Sequence, residues 1–356
     1  DEDGKYSDRV KFGMISVIIH EVGHNYFPMI VNSDERQWGW MDEGLDTFMQ
    51  YLTEQEFGKN FDQAIAPLDK YPSRRGDPAK IVPYMSGNQD NISPIMSNPE
   101  NVFQLGPNAY AKPATALNIL RETVMGRELF DHAFKTYSKR WMFKHPTPED
   151  FFRTMEDASA VDLDWFWRGW FYSTDYVDIG VKSVKKYTIS SKPSPEVDKI
   201  LSAYGLTVDD LAPNYVFMAP KDNDTKNAQE EIENPINNSA PLKKYIDEKF
   251  GNEALEKNNF PKNFYEIEFE KPGGLVMPLI VEYIYKDGTK ERVEYPVQVW
   301  RKNDNSVKKV LATNKELIGV KVDPDLKTAD IDISNNSWPK EKSSSDFEKF
   351  KAKIKG

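Results

Sequence analysis

The chain has 356 residues, enough for two or three domains, and its 39% apolar and 13% aromatic content excludes wholesale disorder. A net charge of −10 argues against a nucleic-acid partner, and no apolar run is long enough for a membrane-spanning segment. With no Cys it has no disulfide, no thiolate metal ligand and no Cys nucleophile.

The lack of Cys also favours an exported protein, periplasmic or extracellular, with a cytoplasmic one left open. The opening DEDGKYSDR is polar and lacks Met, so it reads as the start of a processed or truncated piece. Residues 1–60 hold twelve Asp/Glu against five Lys/Arg. That balance reads as a solvated acidic surface, or as a field that draws in a substrate with a free amino group.

In chain order, residues 1–12 read as a loop and residues 14–30 and 41–57 as helices. The first helix contains His20-Glu21-Val22-Gly23-His24. On a helix, His20 and His24 stand at i and i+4 on one face, where two imidazoles can hold one metal ion. Glu21 lies one step round, placed to take a proton from water at that ion. Pro28 and the polar stretch Asn32 to Gln37 end this helix and turn the chain. The second helix then brings Glu43 from its first turn as a third ligand. Two His and one Glu leave a tetrahedral position open, the pattern of a catalytic zinc site.

This stretch resembles the gluzincin aminopeptidases, the family of aminopeptidase N and leukotriene hydrolase. The family carries HExxH, an 18-residue gap and a Glu in a W-x-x-E-G context, here Trp40-Met41-Asp42-Glu43-Gly44. The resemblance implies one zinc per chain on His20, His24 and Glu43, with Glu21 as general base. It implies hydrolysis of peptide substrates through a zinc-bound water, with release of N-terminal residues. The family has a Glu seven residues after the ligand Glu; here Gln50 stands there, still facing a ligand imidazole but without the charge. The family's Gly-x-Met-Glu-Asn motif, whose Glu binds the substrate amine, has no match in the nineteen residues before His20. Three other readings therefore stay open: a zinc endopeptidase, an epoxide hydrolase, and a non-catalytic zinc-containing peptide-binding relative.

Residues 60–108 are rich in Pro, Asn and Ser and read as loops with short helices shaping a pocket. Next comes Tyr110-Ala111-Lys112-Pro113 at the head of an amphipathic helix that Gly126 ends. The resemblance matches this to the family's Y-x-K-G and makes Tyr110 the residue that stabilises the oxyanion, with Pro113 in place of Gly. Residues 127–177 continue as helices, one of them capped by Thr147 with Pro148 at its first position. His132 and His145 have no carboxylates near them in sequence and read as structural or exposed.

From Val177 a strand is expected, then a polar region through 263 with short helices near 196–204 and 241–250 and a mobile loop between them. From Phe264 the pattern alternates, and Asp287-Gly288 between two such runs marks a hairpin. The fold expected is multidomain, α then β. A thermolysin-like, mainly α-helical catalytic domain at 1–177 precedes a linker at 178–263, a small β-sandwich at 264–340 and a charged tail at 341–356. The family's sheet-rich region upstream of the zinc site is missing here, and the resemblance implies that the domain packs against it.

Overall fold

The computed structural model describes residues 4–60, 71, 74–190, 195–207, 210, 217–220, 247–248, 251, 261 and 263–340. Most of the polar loop expected between 204 and 241, most of the helix expected at 241–250, and the charged tail lie outside the described residues, and within that loop Phe217–Pro220 form a strand.

The helical part opens with α1 (Asp8–Gly23). Residues 1–12 do not form a loop throughout: the helix begins at Asp8, because the Ser7 hydroxyl accepts from Val10 N at 3.4 Å and Phe12 is buried against Tyr71. The first helix also stops short of residue 30. From Asn25 to Ile30 the turn is widened, with Met29 N bonding His24 O and Val31 N bonding Tyr26 O, and Phe27 and Pro28 leave helical angles altogether. A second widened turn, Trp40–Gly44, leads into α2 (Leu45–Asn60). After α3 (Pro78–Met85), a third, Gly106–Ala111, leads into α4 (Lys112–Ile119). Then come α5 (Arg127–Arg140), α6 (Pro148–Ser159) and α7 (Asp164–Tyr172). The α6 start carries a full capping box between Thr147 and Asp150, the reciprocal bonding its sequence predicts.

These helices bury a continuous aromatic core. Trp40, Phe130, Phe134, Tyr137, Phe151, Phe152, Trp167 and Phe171 meet ring against ring, with Trp40 and Phe171 centroids 4.8 Å apart. Two close approaches set the crossings. A Cβ on Gly44 would lie 2.6 Å from Pro113 Cγ and 2.9 Å from the Ala109 carbonyl, so glycine lets the start of α2 touch the start of α4. A Cβ on Gly23 would lie 1.8 Å from Asp46 Oδ1, so the end of α1 closes onto α2 only without a side chain there.

The β part is β1 (Gly180–Ser190), β2 (Phe217–Pro220), β3 (Asn263–Glu270), β4 (Leu279–Tyr285), β5 (Lys290–Tyr295), β6 (Ser306–Thr313), β7 (Leu317–Val322) and β8 (Ser337–Trp338), with α8 (Pro195–Ala203) between β1 and β2. All strand pairs are antiparallel, in two four-stranded sheets ordered β2-β1-β3-β6 and β5-β4-β7-β8. The β4–β5 hairpin turns at Asp287-Gly288, with Gly288 at φ +81°. The strand expected inside the linker, β1, pairs with β3 from Gly180 to Thr188, so the sheet draws on residues well before 264. One apolar core runs from the helices into both sheets: Leu275 and Met277 belong to it with Trp170, and Leu275 Cδ2 lies 2.9 Å from where a Cβ of Gly169 would be. Among the described residues, no helix is long and apolar enough to cross a membrane.

Candidate metal centre

The α1–α2 seam places the site. On α1, Phe12, Ser16, His20 and His24 recur every four residues and share one face. On α2 and the turn before it, Glu54, Gln50, Asp46 and Glu43 run back along them. Ser16 Oγ donates to Glu54 Oε1 at 2.6 Å, Gln50 Nε2 donates to the same carboxylate at 2.9 Å, and Gln50 Oε1 lies 3.0 Å from His20 Nδ1.

Both imidazoles turn their Nδ1 edge to acceptors and their Nε2 edge to Glu43. His20 Nδ1 faces Gln50 Oε1 and, at 2.9 Å, Asp46 Oδ2. His24 Nδ1 faces the Phe27 carbonyl at 2.9 Å and Asp42 Oδ1 at 3.1 Å. A carbonyl or carboxylate only accepts, so both Nδ1 atoms carry hydrogen. In the neutral rings the Nε2 lone pairs then point at a carboxylate: Glu43 Oε2 is 3.1 Å from His20 Nε2 and 3.5 Å from His24 Nε2. Either a proton on Nε2, which makes the ring a charged donor to Glu43, or a metal ion among the three atoms relieves this repulsion. Two ligands about 2.0–2.1 Å from a tetrahedral ion would stand about 3.3 Å apart, which matches these separations. The donor atoms fall into two overlapping sets within 4.8 Å of one another, His20–His24–Asp46 and His24–Asp42–Glu43.

The surrounding carboxylates strongly favour positive charge at the rings. Contacts to Asp46 and then Glu43 raise His20 to about 10, overcoming its burial. Burial opposes a charge on Glu43, but the His20 and Tyr110 donors outweigh it and hold this carboxyl below its ordinary value. Burial, then the Glu43 charge, lifts Asp42 to about 7, and burial also raises Asp46. Both Asp46 oxygens are buried without a well-aligned hydrogen bond, as expected of a carboxylate whose partner is a charge on the neighbouring ring. The donor set therefore fits a bound divalent cation of the zinc type.

The expected residues divide as follows. His20, His24 and Glu43 come together at the centre. Glu21 lines a cavity of about 620 Å³ beside His20, with Ser16, Gln50, Arg75 and Tyr110. The Tyr110 ring stacks on His20 at 5.9 Å, and burial, then its bond to Glu43, keep its hydroxyl protonated well above the ordinary range. His145 stands apart and faces the Asn32 carbonyl. Sequence reasoning gave Gln50 its place at His20 but missed Asp42 and Asp46 on the outer edges of the rings. Asp46 lies one helical turn after Glu43, and that i, i+3 spacing is the signal that could have found it. Lys112 of the Y-x-K is fully buried and donates to the Ser173 carbonyl at 3.3 Å, away from the centre.

Comparison with known proteins adds the lineage. A model of the peptidase family M1 domain matches residues 2–170. Aminopeptidase N of Lactococcus lactis subsp. lactis is 22% identical over 198 residues, 54% of this chain and 22% of that protein. Glutamyl aminopeptidase of Bos taurus is 26% identical over 199 residues, 54% of this chain and 20% of the relative. The crystal structure of Legionella pneumophila aminopeptidase A in complex with aspartic acid aligns with 89% of this chain and 26% of its own, at a TM-score of 0.47 and 13% identity. The matches thus span about a fifth of the length of these curated relatives. The M1 domain model lies over the whole helical seam that gathers His20, His24 and Glu43, so the helical part of this chain, residues 2–170, matches the peptidase family M1 domain.

Proposed function

We propose that this chain carries the catalytic centre of a zinc metallopeptidase that acts as an aminopeptidase. The observation that carries the reading is the convergence of both imidazole Nε2 atoms on Glu43 Oε2. His20, His24 and Glu43 would hold one zinc ion, with Gln50, Asp46, Asp42 and the Phe27 carbonyl fixing the rings. When bound, zinc polarises the scissile carbonyl and acidifies water.

The chain's own residues do the rest. Glu21, open to the cavity on the face next to His20, takes a proton from the attacking water and passes it to the leaving amine. Tyr110, kept protonated, donates to the carbonyl oxygen as it gains negative charge. A second recess of about 400 Å³ adjoins Glu43 and Tyr110 and is lined by Glu35, Asp42 and the Arg36–Glu100 ion pair, a net negative set. Its acidic wall supports an aminopeptidase, because a free N-terminal ammonium ion is the cation such a substrate offers. The names of the matched relatives, aminopeptidase N and glutamyl aminopeptidase, point the same way.

The outer face of α1 leaves Val10, Met14, Val17, Ile18 and Val22 more than half exposed. This stripe supports packing of α1 against the family's sheet-rich upstream region in the full-length protein.

The test uses the full-length protein. It should bind one zinc and hydrolyse amino-acid anilides. His24→Ala should lose the metal, and Glu21→Gln should keep it and lose about 10²-fold to 10⁴-fold in turnover. Full zinc content in the first variant overturns the ligand set, and near wild-type turnover in the second removes Glu21 from the chemistry.

A further inference from the structure

Among the described residues, the cavity beside His20 is lined by one charged side chain that the hydrolytic chemistry does not use. Arg75 lines it together with Glu21, His20, Gln50 and Tyr110, and its guanidinium stands 4.9 Å from the Tyr110 ring centroid. Among the described residues Arg75 has no carboxylate partner. The contrast with its neighbour is sharp, since Arg74 is ion-paired to Asp77. Arg75 is also the one Lys or Arg among the described residues that line this cavity.

The turn that carries Arg75 is braced by contacts on either side. Arg74 sits at φ +43° and Gly76 at φ +118°, conformations held by the contacts on either side. A Cβ on Gly76 would lie 2.8 Å from Tyr51 Cγ, and the Gly76 carbonyl accepts from the buried Asn118 Nδ2 at 2.9 Å. Asp77 both holds Arg74 and caps α3 by accepting from Ala79 N. A guanidinium presented by so fixed a backbone, with one side resting on an aromatic ring, keeps its N–H groups for something else in the cavity.

That something must carry negative charge. The centre is rich in acidic groups, with Glu21, Glu43, Asp42 and Asp46 all close to the reacting position, and they repel an anionic substrate. Arg75 is placed to reverse this locally. On the reading that the centre is a peptidase, we propose that Arg75 is a specificity-determining residue that binds a carboxylate of the peptide substrate. Two carboxylates fit this chemistry: an acidic side chain at the cleaved end, or the C-terminus of a short peptide.

The experiment compares kcat/KM for matched pairs on the full-length protein. Glutamyl anilide against glutaminyl anilide tests the side chain; alanyl-alanine against alanyl-alanine amide tests the C-terminus. In Arg75→Gln the carboxylate-over-amide ratio should fall by roughly 10-fold to 100-fold for one pair, the strength of a charge-assisted bond to a guanidinium. Arg75→Lys should keep part of the ratio, and Arg75→Glu should invert it. The pair that responds names the source of the carboxylate. If Arg75→Gln lowers both members of each pair equally, the guanidinium only supports Tyr110 and the inference is overturned. A calorimetric titration with glutamate and with glutamine separates this inference from the peptidase reading. Should the wild type hydrolyse none of the four, glutamate binding lost in Arg75→Gln still supports the carboxylate site, while equal binding of both ligands to wild type and variant removes it.

Discussion

The helical part is held together in two different ways. Along the α1–α2 seam the contacts are polar and one atom deep: Ser16 to Glu54, Gln50 to His20, Asp46 to His20, Asp42 to His24. Around α5, α6 and α7 they are apolar and many rings deep, and even the indole N–H groups of Trp167 and Trp170 have no partner. Hydrogen bonds fix direction within a few tenths of an ångström but add only about 1 kcal/mol each, whereas a buried aromatic side chain contributes several. The seam therefore sets geometry and the aromatic core supplies stability.

Phe151 is the place to break the core side. It is fully buried and its ring lies near those of Trp40, Phe134, Tyr137, Phe152 and Trp167. Phe151→Ala should cost about 3–5 kcal/mol in chemical denaturation, while the folded fraction keeps its full metal content. Loss of metal from folded protein would show that the two regions are not separable.

Lys112 is the polar intruder in the apolar half. Burial lowers its pKa to about 8, and among the described residues its ammonium has only the Ser173 carbonyl as a close partner. Since the unfolded chain holds this proton up to about 10.5, it binds more protons than the folded one between about 8 and 10.5. Stability contributed by this group therefore rises with pH across that window and is lowest below it. Lys112→Met should remove that rise and stabilise the protein at pH 7 by up to about 3 kcal/mol, read from denaturation at pH 7, 9 and 10. An unchanged pH slope would mean that Lys112 is not charged at the cost its burial implies.

Gln50 is the corresponding probe of the seam. Gln50→Ala should weaken metal affinity by about 10-fold to 100-fold, since it frees one edge of the His20 ring, yet move stability by no more than about 1 kcal/mol. Gln50→Glu, which restores the charge, should strengthen metal binding relative to wild type. Competition with a chromogenic chelator measures both. A large loss of stability in Gln50→Ala without a change in affinity would reverse the roles assigned to the two regions.

Much of this was legible in the residues because it is local. The i, i+4 pair His20 and His24, the capping box at Thr147 and the Asp287-Gly288 turn each depend on neighbours a few positions away. What stayed hidden depends on distant partners. The α1 start was read as loop because Phe12 finds Tyr71 only in the folded chain. The strand at 180–190 stood alone in sequence, with its partner β3 some eighty residues on. Arg75 belongs to no motif, and its cavity is assembled from four separate stretches of chain. Glu43 was expected in the first turn of a regular helix, yet it sits in a widened one, as does Tyr110. Backbone of that kind is set by packing, here by Gly44 against Pro113, and leaves no periodicity to read.

The thin attachment of α1 has a consequence for how the protein breathes. Of its sixteen residues only Phe12 and Ser16 are buried, and its remaining polar hold runs through His20 to Asp46, Gln50 and Glu43 and, just past its end, through His24 to Asp42 and Glu43, with Gly23 closing against Asp46. The groups that would bind the ion are thus the groups that keep the helix docked. Lifting α1 off and releasing the ion become one event, so metal concentration sets the opening free energy of this segment through mass action. Amide protons from Met14 to Gly23 should then exchange faster as a chelator is titrated in, while those of α6 keep their protection. With zinc bound at the proposed ligands the helix would behave as a latch whose catch is the ion itself, and cleavage within it by an added protease should then follow free zinc rather than global stability.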